Sequence, residues 1–135
     1  MTLSAADRLE ILDVISRADW AASRRDAAAY ADLFTDDVVL DGAQGRHAGQ
    51  DALRASVGPI WAAEGPASLH LTLNPIIEVQ ESTDGHAVTR SILLIVDPVP
   101  LPTIRTAAVI TQTLRRAGGS WRISRRTVAT APEGL

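Results

Sequence analysis

The spacing of apolar residues changes once along the chain, and this change divides the chain into two parts. From Leu9 to Ala22, apolar residues recur every three or four positions, which is the period of one helix face. From Leu69 onward they recur at every second position, which is the period of a strand with one buried face. The pattern therefore predicts helices in the first half and an antiparallel sheet in the second.

Capping residues mark the starts of the predicted helices. Ser4, followed by Asp7 three residues later, is a typical N-cap, and Asp26 has the same position before a second, shorter helix. The predicted elements of this half are a helix over about 5–24, a short helix from Asp26 that ends at Thr35-Asp36-Asp37, a strand over 38–41, a glycine-rich loop over 42–49 and a helix from Gln50 that ends before Gly65-Pro66.

The second half is predicted to form a sheet that ends in a long hairpin. Its elements are a strand over 69–79 with a bulge or edge position at Asn74-Pro75, a turn over 82–85, a strand over 87–96, a proline-rich connection over 97–102 and a hairpin over 104–130 that turns at 117–120. A hairpin is marginal in water without a covering layer. The expected architecture is therefore α+β in a single domain over 1–135, with the N-terminal helices packed on a curved, mostly antiparallel sheet.

Composition narrows the classes of function. The net charge is −3, with no block of like charges, which gives no support for a nucleic-acid or membrane partner. The absence of cysteine excludes disulfides and thiolate chemistry, and no group of histidines and carboxylates has metal-ligand spacing, so no metal and no cofactor is expected. No apolar run approaches ~20 residues and no signal peptide is visible, so a cytoplasmic protein is expected.

Four local patterns occur in order over nearly the whole chain: Arg25–Val38, Gly45–Leu53, Ser68–His70 and Gly119–Ile123. Together they resemble the nuclear transport factor 2-like superfamily, in its SnoaL-like branch. The resemblance implies a cone-shaped α+β barrel, in which a curved sheet wraps round a long helix and an apolar cavity opens between them. It also implies a homodimer formed through the sheet.

The same resemblance leaves the function open. The superfamily includes ketosteroid isomerases, polyketide cyclases, scytalone dehydratase, hexachlorocyclohexane dehydrochlorinase, epoxide hydrolases and non-enzymatic binding modules. It implies either cofactor-free proton abstraction from a small hydrophobic substrate, leading to elimination, isomerisation or cyclisation, or a module that only binds a small hydrophobic ligand. A purely structural dimerisation domain, with a filled cavity, is a third interpretation.

His70 is the first candidate for catalysis. It resembles the histidine that begins the same strand in the dehydratase and the dehydrochlorinase, where it is the general base. An imidazole suits this role because it titrates near neutral pH. Leu69 and Leu71 flank it, so His70 is expected on the opposite sheet face, inside the cone or at an interface. The alternative is a strand-end histidine with a purely structural role.

The partner of His70 departs from the pattern of these enzymes, which place an aspartate on the first helix. The matching position is Ser23, whose hydroxyl can bond a ring nitrogen but carries no charge. Asp19 lies one helical turn earlier on the same face, and we expect it to orient the imidazole instead. The alternative is an Asp19 at the helix edge that pairs with Arg17 or Arg24.

Arg126 resembles the arginine of the dehydrochlorinase, and the resemblance implies that it stabilises an anion. Regular alternation places Trp121 and Arg125 on one face of the strand and Arg126 on the other. Alternatively, both arginines face solvent. The residues predicted to contact the substrate are Trp20, Trp61 and Asp41, although the tryptophans also fit a core position.

Overall fold

Three helices pack on one face of a six-stranded sheet in the computed structural model, which describes residues 2–79 and 85–135. The elements are α1 (Ala5–Ser23), α2 (Ala27–Ala31), β1 (Phe34–Gly42), β2 (Gly45–Ala48), α3 (Gln50–Ala63), β3 (Leu69–Val79), β4 (His86–Asp97), β5 (Thr103–Ala117) and β6 (Ser120–Thr130). The strand order is β2-β1-β6-β5-β4-β3, and only the β1–β6 pair is parallel. The predicted α+β architecture is confirmed. None of the described helices is long and apolar enough to cross a membrane.

The start of α1 is fixed both locally and to the sheet. Ser4 and Asp7 form the predicted capping box, with each side chain accepting a hydrogen bond from the other residue's backbone N–H at 3.0 Å. Asp7 also accepts a hydrogen bond from Trp121 Nε1 at 3.1 Å and pairs with Arg116. The backbone N–H of Ser4 is the main cause that lowers the pKa of Asp7. The first turn of the helix therefore also holds the final hairpin.

Most of the apolar face that the spacing predicts for α1 is buried, but its first residue is not. Leu9 is 69% exposed, whereas Ile11 is fully buried. The residues of α1 that join the main core are Ile11, Val14, Ile15, Ala18, Ala21 and Ala22. They pack with Phe34, Leu114, Trp121 and Ile123, so the core lies between α1 and the middle of the sheet.

The region after α2 differs from the prediction. Thr35, Asp36 and Asp37 were expected to end a helix, but they belong to β1, where the register shifts between Phe34 and Val39. This irregularity leaves both aspartates exposed within the strand. The predicted loop over 42–49 is also wrong, because Gly45, at φ +96°, allows a tight turn into β2. The cavity described below opens beside this turn.

Strand β3 lies at the edge of the sheet, and its irregularity was predicted. The register shifts between Leu73 and Ile76, and Asn74 has a φ of +54°. The predicted turn that follows lies largely outside the described residues, at 82–84.

A bulge in β6 decides which of its side chains point inward. Leu114 pairs with Ile123 and Thr113 pairs with Arg125, so Ser124 is an extra residue in β6. The extra residue reverses the alternation, and Arg126 is buried on the same concave face as Trp121. The predicted division of faces is wrong for this reason, since it assumed a regular strand.

Candidate functional site

A cavity of about 220 Å³ opens between α3 and the concave face of the sheet. Its walls are mainly apolar, and its polar groups come from five separate parts of the chain. The apolar lining includes Leu40, Val57, Ile60, Trp61, Leu93, Ile95 and Val128, and the charged or titratable lining comprises Tyr30, Asp41, His47, Glu64, His70 and Arg126. An apolar cavity with a few convergent polar groups is the usual form of a small-molecule site.

Glu64 and His70 form a hydrogen-bonded pair in the cavity wall. Glu64 Oε2 lies 2.6 Å from His70 Nε2, and the two side chains are 16% and 5% exposed. His70 Nδ1 is sealed from solvent and has no hydrogen-bond partner in the part of the chain that the structure describes. A proton on Nδ1 would therefore be a buried donor without an acceptor, which is costly. We assign the proton of neutral His70 to Nε2, where the carboxylate of Glu64 accepts it.

The loop between the two residues is held by Arg25. Glu64 is the C-cap of α3, and His70 is the second residue of β3. Arg25 Nη2 donates to the Gly65 carbonyl and to Ser68 Oγ, each at 2.8 Å, and Ser68 is fully buried. This clamp fixes the helix end and the strand start relative to the end of α1. The loop that connects Glu64 to His70 is therefore held in place, and this positions the pair.

Arg126 reaches the cavity from β6 and is held by Tyr30. Arg126 Nη1 donates to Tyr30 Oη at 2.8 Å, and both residues are buried. The Tyr30 ring packs against Phe34 and Trp61, at centroid distances of 4.7 and 5.3 Å. Burial raises the pKa of Tyr30, so the phenol stays neutral near pH 7. The aromatic cluster thus orients a guanidinium without neutralising it.

Asp19 and Ser23 hold the edge strand and not the imidazole. Ser23 Oγ accepts a hydrogen bond from the backbone N–H of His70 at 2.9 Å, and Asp19 accepts from the backbone N–H and the hydroxyl of Thr72 at 2.7 and 2.9 Å. Four helical residues advance about 6 Å and two strand residues about 6.6–6.8 Å, so the two pairs match. The predicted role of Asp19 is thereby corrected, because Glu64 is the carboxylate at the ring nitrogen.

Removing the charge of Asp19 is expected to have a pH-dependent effect on stability. Burial raises the pKa of Asp19 above its ordinary value of 3.8, although Arg126 and Thr72 act in the opposite direction. The folded state thus binds the proton more tightly than the unfolded state, and stability is lost as pH rises from 3.8 through the folded pKa. As pH rises over this interval, we expect the free energy of unfolding of Asp19→Asn to increase relative to that of the wild type. Urea denaturation of both proteins measures the difference.

Asp19→Ala provides the matched comparison. It leaves the N–H of Thr72 without its acceptor and should lower the free energy of unfolding by about 1–3 kcal/mol. A wild-type protein whose advantage over Asp19→Asn grows with rising pH would contradict this account of the buried carboxylate.

The other predicted contact residues are divided between two surfaces. Trp61 and Asp41 line the cavity. Asp41 lies at the mouth, with its Oδ2 3.6 Å from Arg125 Nη2. Trp20 does not line it: its ring is 62% exposed in a shallow groove between α1 and β3, beneath the guanidinium of Arg24. His47 is half-buried and also lines the mouth.

Glu64 is the functional candidate that the sequence did not indicate. A helix stop at Gly65-Pro66 placed it at a helix end, where a glutamate is ordinarily solvated. The available signal was its separation from His70, six residues along the chain with a tight turn between them. That separation becomes informative only when the helix and the strand are known to be adjacent.

Comparisons with known proteins agree with this architecture. A protein from Nostoc punctiforme, described as having a cystatin-like fold and an unknown function, is 25% identical, with 98% of this chain and 96% of that chain covered at a TM-score of 0.88. Aln2 from a Streptomyces species is 16% identical, with coverages of 96% and 94% and a TM-score of 0.83. A protein from Catenulispora acidiphila, solved in complex with S-DNPA, is 19% identical, with coverages of 93% and 93% and a TM-score of 0.80.

Sequence comparison gives the family directly. The search of curated proteins gave no match. The family model described as the SnoaL-like domain matches residues 4–127, which is nearly the whole chain. The chain therefore belongs to the SnoaL-like domain family.

Proposed function

We propose that the protein binds a small hydrophobic molecule in this cavity and removes a proton from a carbon atom of that molecule without a cofactor. Elimination, isomerisation or cyclisation of the resulting anion would follow. The observation that carries the proposal is the Glu64–His70 pair, a carboxylate and an imidazole 2.6 Å apart in an apolar cavity wall. Such a pair is a suitable proton acceptor because the N–H of the imidazole fixes one oxygen of the carboxylate and leaves the other oxygen to accept the proton.

Within the pair, we assign the contact with substrate to Glu64. His70 Nδ1 is sealed, and its Nε2 is already bonded to Glu64. Among the described residues, some polar side-chain atoms are buried and have no hydrogen-bond partner, but the second oxygen of Glu64 is not one of them. Because Glu64 lines the cavity, this supports access of that oxygen to a ligand. His70 would then position the carboxylate, a revision of the sequence-based hypothesis that His70 itself is the base.

The proposed step moves one proton and one electron pair. The proton passes from the substrate carbon to the carboxylate of Glu64, and the electrons of the broken C–H bond move into an adjacent carbonyl to form an enolate. Arg126 faces the same cavity, and its fixed positive charge would stabilise the oxygen anion. Protonation at another carbon, or loss of a leaving group, would complete the reaction.

The comparisons support a small molecule as the ligand. The chain belongs to the SnoaL-like domain family, and one structural neighbour was solved with S-DNPA bound. That neighbour is 19% identical, so it supports ligand binding by this fold but not a particular substrate.

Deuterium exchange tests the proposal across a range of possible substrates. A panel of cyclic ketones and hydroxylated bicyclic aromatics would be incubated with the protein in D₂O, and NMR would detect exchange at carbon. We expect exchange of at least one ligand with the wild type and none with a Glu64→Gln, His70→Gln double variant. Ligands that bind and stabilise the wild type without exchanging would contradict proton abstraction.

A module that only binds its ligand is the second candidate function. It is favoured by the uncharged Ser23 at the helix position where the related enzymes have an aspartate, and by the sealed Nδ1 of His70. For this function, we expect ligand-induced thermal stabilisation of wild type and His70→Gln alike. Exchange that depends on Glu64 would exclude it.

The sheet face opposite the helices is proposed to join two copies of the chain. Residues of β3, β4 and β5 that pair with one another form an apolar strip on this face, comprising Leu69, Leu71, Leu73, Ile92, Leu94, Val96 and Ile104. Leu69 and Ile104 are 42% and 60% exposed. The strip contains no charged residue, so a second copy of the same strip would bury it.

A charge in the centre of the strip should separate the copies. We expect the wild type to be a dimer in size-exclusion chromatography with light scattering and Leu94→Asp to be a folded monomer, because two buried carboxylates would oppose each other. The control is Leu9→Asp, an exposed position on α1 that should leave the dimer intact. A monomeric wild type at micromolar concentration would contradict the proposed interface.

A further inference from the structure

We infer that the molecule bound in the cavity carries a carboxylate, which pairs with Arg126 before any reaction begins. The inference rests on the proposed function in one respect, since it assumes that the cavity is the ligand site. It goes further by assigning a charged group to the ligand in its resting form. The free donors of Arg126 then hold this carboxylate, and Arg126 acts on the developing oxygen anion through its charge alone.

Among the residues that the structure describes, Arg126 is a buried cation without a paired anion. Arg126 is 8% exposed. No carboxylate oxygen of residues 2–79 or 85–135 lies within 4 Å of its side-chain nitrogens. Its hydrogen-bond partner is the neutral phenol of Tyr30. Burying a charge is costly unless an anion and hydrogen bonds compensate for it.

The nearby carboxylates are already engaged. Asp19 lies close enough to interact electrostatically with Arg126, but both of its oxygens bind Thr72. One oxygen of Glu64 binds His70. Asp41, at the cavity mouth, forms an ion pair with Arg125. These groups reduce the potential around Arg126 without occupying its hydrogen-bond donors.

One edge of the guanidinium faces the cavity. Nη1 is used by Tyr30, whereas Nε and Nη2 have no hydrogen-bond partner among the described residues. Neither atom belongs to the sealed, unpartnered set of that part of the chain, which is His70 Nδ1, Ser91 Oγ and Gln112 Oε1. Since Arg126 lines the cavity, we place the Nε–Nη2 edge at its surface. This edge has the two parallel N–H donors that a carboxylate matches.

The size of the cavity limits the rest of the ligand. A volume of about 220 Å³ is below the range of roughly 300–1,000 Å³ typical of sites for drug-sized ligands. The rest of the lining is mainly apolar, with Trp61, Ile60 and Leu93 among its residues. The ligand class is therefore an apolar body of one or two rings that bears one carboxylate.

A pair of isosteric probes separates charge from shape. The dissociation constants of 2-naphthoate and 2-naphthamide would be measured at pH 7 by titration calorimetry. We expect the wild type to bind the carboxylate about tenfold or more tightly than the amide, because a bidentate pair with a buried arginine favours the anion. Equal affinities, or a preference for the amide, would overturn the inference while leaving the ligand site in place.

Variants locate the preference at Arg126. Arg126→Gln should remove it and Arg126→Lys should keep it in reduced form. Arg125→Gln should leave it unchanged, because Arg125 is exposed and does not line the cavity. The Lys variant retains the charge and thereby guards against a Gln variant that fails to fold. A preference that persists in folded Arg126→Gln would overturn the inference. If neither probe binds the wild type, the inference fails as well, and the exchange experiment decides separately whether the proposed reaction also fails.

Discussion

Glu64→Gln is expected to lower the rate of proton exchange at the substrate carbon by roughly 10²–10⁴-fold, the usual contribution of a general base. Glutamine has nearly the same shape, and its carbonyl oxygen can still accept the Nε2–H of His70, so the fold and the hydrogen bond remain. The amide, however, cannot accept a proton at neutral pH. The measurement is the initial rate of deuterium incorporation by NMR, with circular dichroism as the check on folding.

Two histidine variants make this result specific. His70→Gln should reduce the rate less than Glu64→Gln, because the carboxylate remains and loses only its positioning partner. His47→Gln should have little effect, since His47 lines the cavity mouth but contacts the Gln44 carbonyl and not Glu64. An unchanged rate in Glu64→Gln would contradict the assignment, and a larger loss in His70→Gln would return the role of base to His70.

Trp121→Ala is expected to lower the free energy of unfolding by about 3–5 kcal/mol, the range found for large aromatic residues in protein cores. Trp121 is 2% exposed and joins the main core between α1 and the sheet. Its Nε1 donates to Asp7, and its backbone N–H donates to Glu10, so the same residue connects the final hairpin to the first helix. Urea denaturation of the variant and the wild type measures the difference.

Trp20→Ala is the matched control for this loss. The side chain removed is the same, but Trp20 is 62% exposed and belongs to neither core cluster of the described residues. The expected change is within about 0.5 kcal/mol, as for most surface substitutions. Similar losses in the two variants would contradict the assignment of the core to the Trp121 side of α1.

Much of the fold follows from periodicity and capping. The change of apolar spacing near Leu69 predicted where helices give way to strands, and Ser4 and Asp26 marked helix starts that the structure contains. These signals are local, since each depends on residues within one or two turns of a helix or along one strand. The buried face of α1 was harder to predict, because Leu9 is as apolar as its buried neighbours.

The candidate site depends on features that local patterns do not contain. The Glu64–His70 pair forms because the end of α3 turns back onto the start of β3, and the Arg25 clamp on Gly65 and Ser68 joins residues 40 or more positions apart. Such contacts follow from tertiary packing. His70 and Arg126 were candidates because of the family resemblance, whereas Glu64 has no counterpart in the pattern that was compared.

The bulge at Ser124 shows how one residue changes an inference about a whole strand. Regular alternation separates Trp121 from Arg126, but the extra residue brings both to the concave face. Serine is not diagnostic of a bulge, so the sequence gives no warning of it. The same bulge is what directs Arg126 toward the cavity.

The protonation of His70 tests the central claim most directly and needs no substrate. In protein labelled with ¹⁵N at its three histidines, NMR distinguishes a protonated ring nitrogen from a bare one, and the His70→Gln variant identifies the signals of His70. In the neutral ring, we expect the proton on Nε2, donated to Glu64, and a bare Nδ1. A proton on Nδ1 with a bare Nε2 would contradict the account, because Glu64 would then not hold the ring as an acceptor.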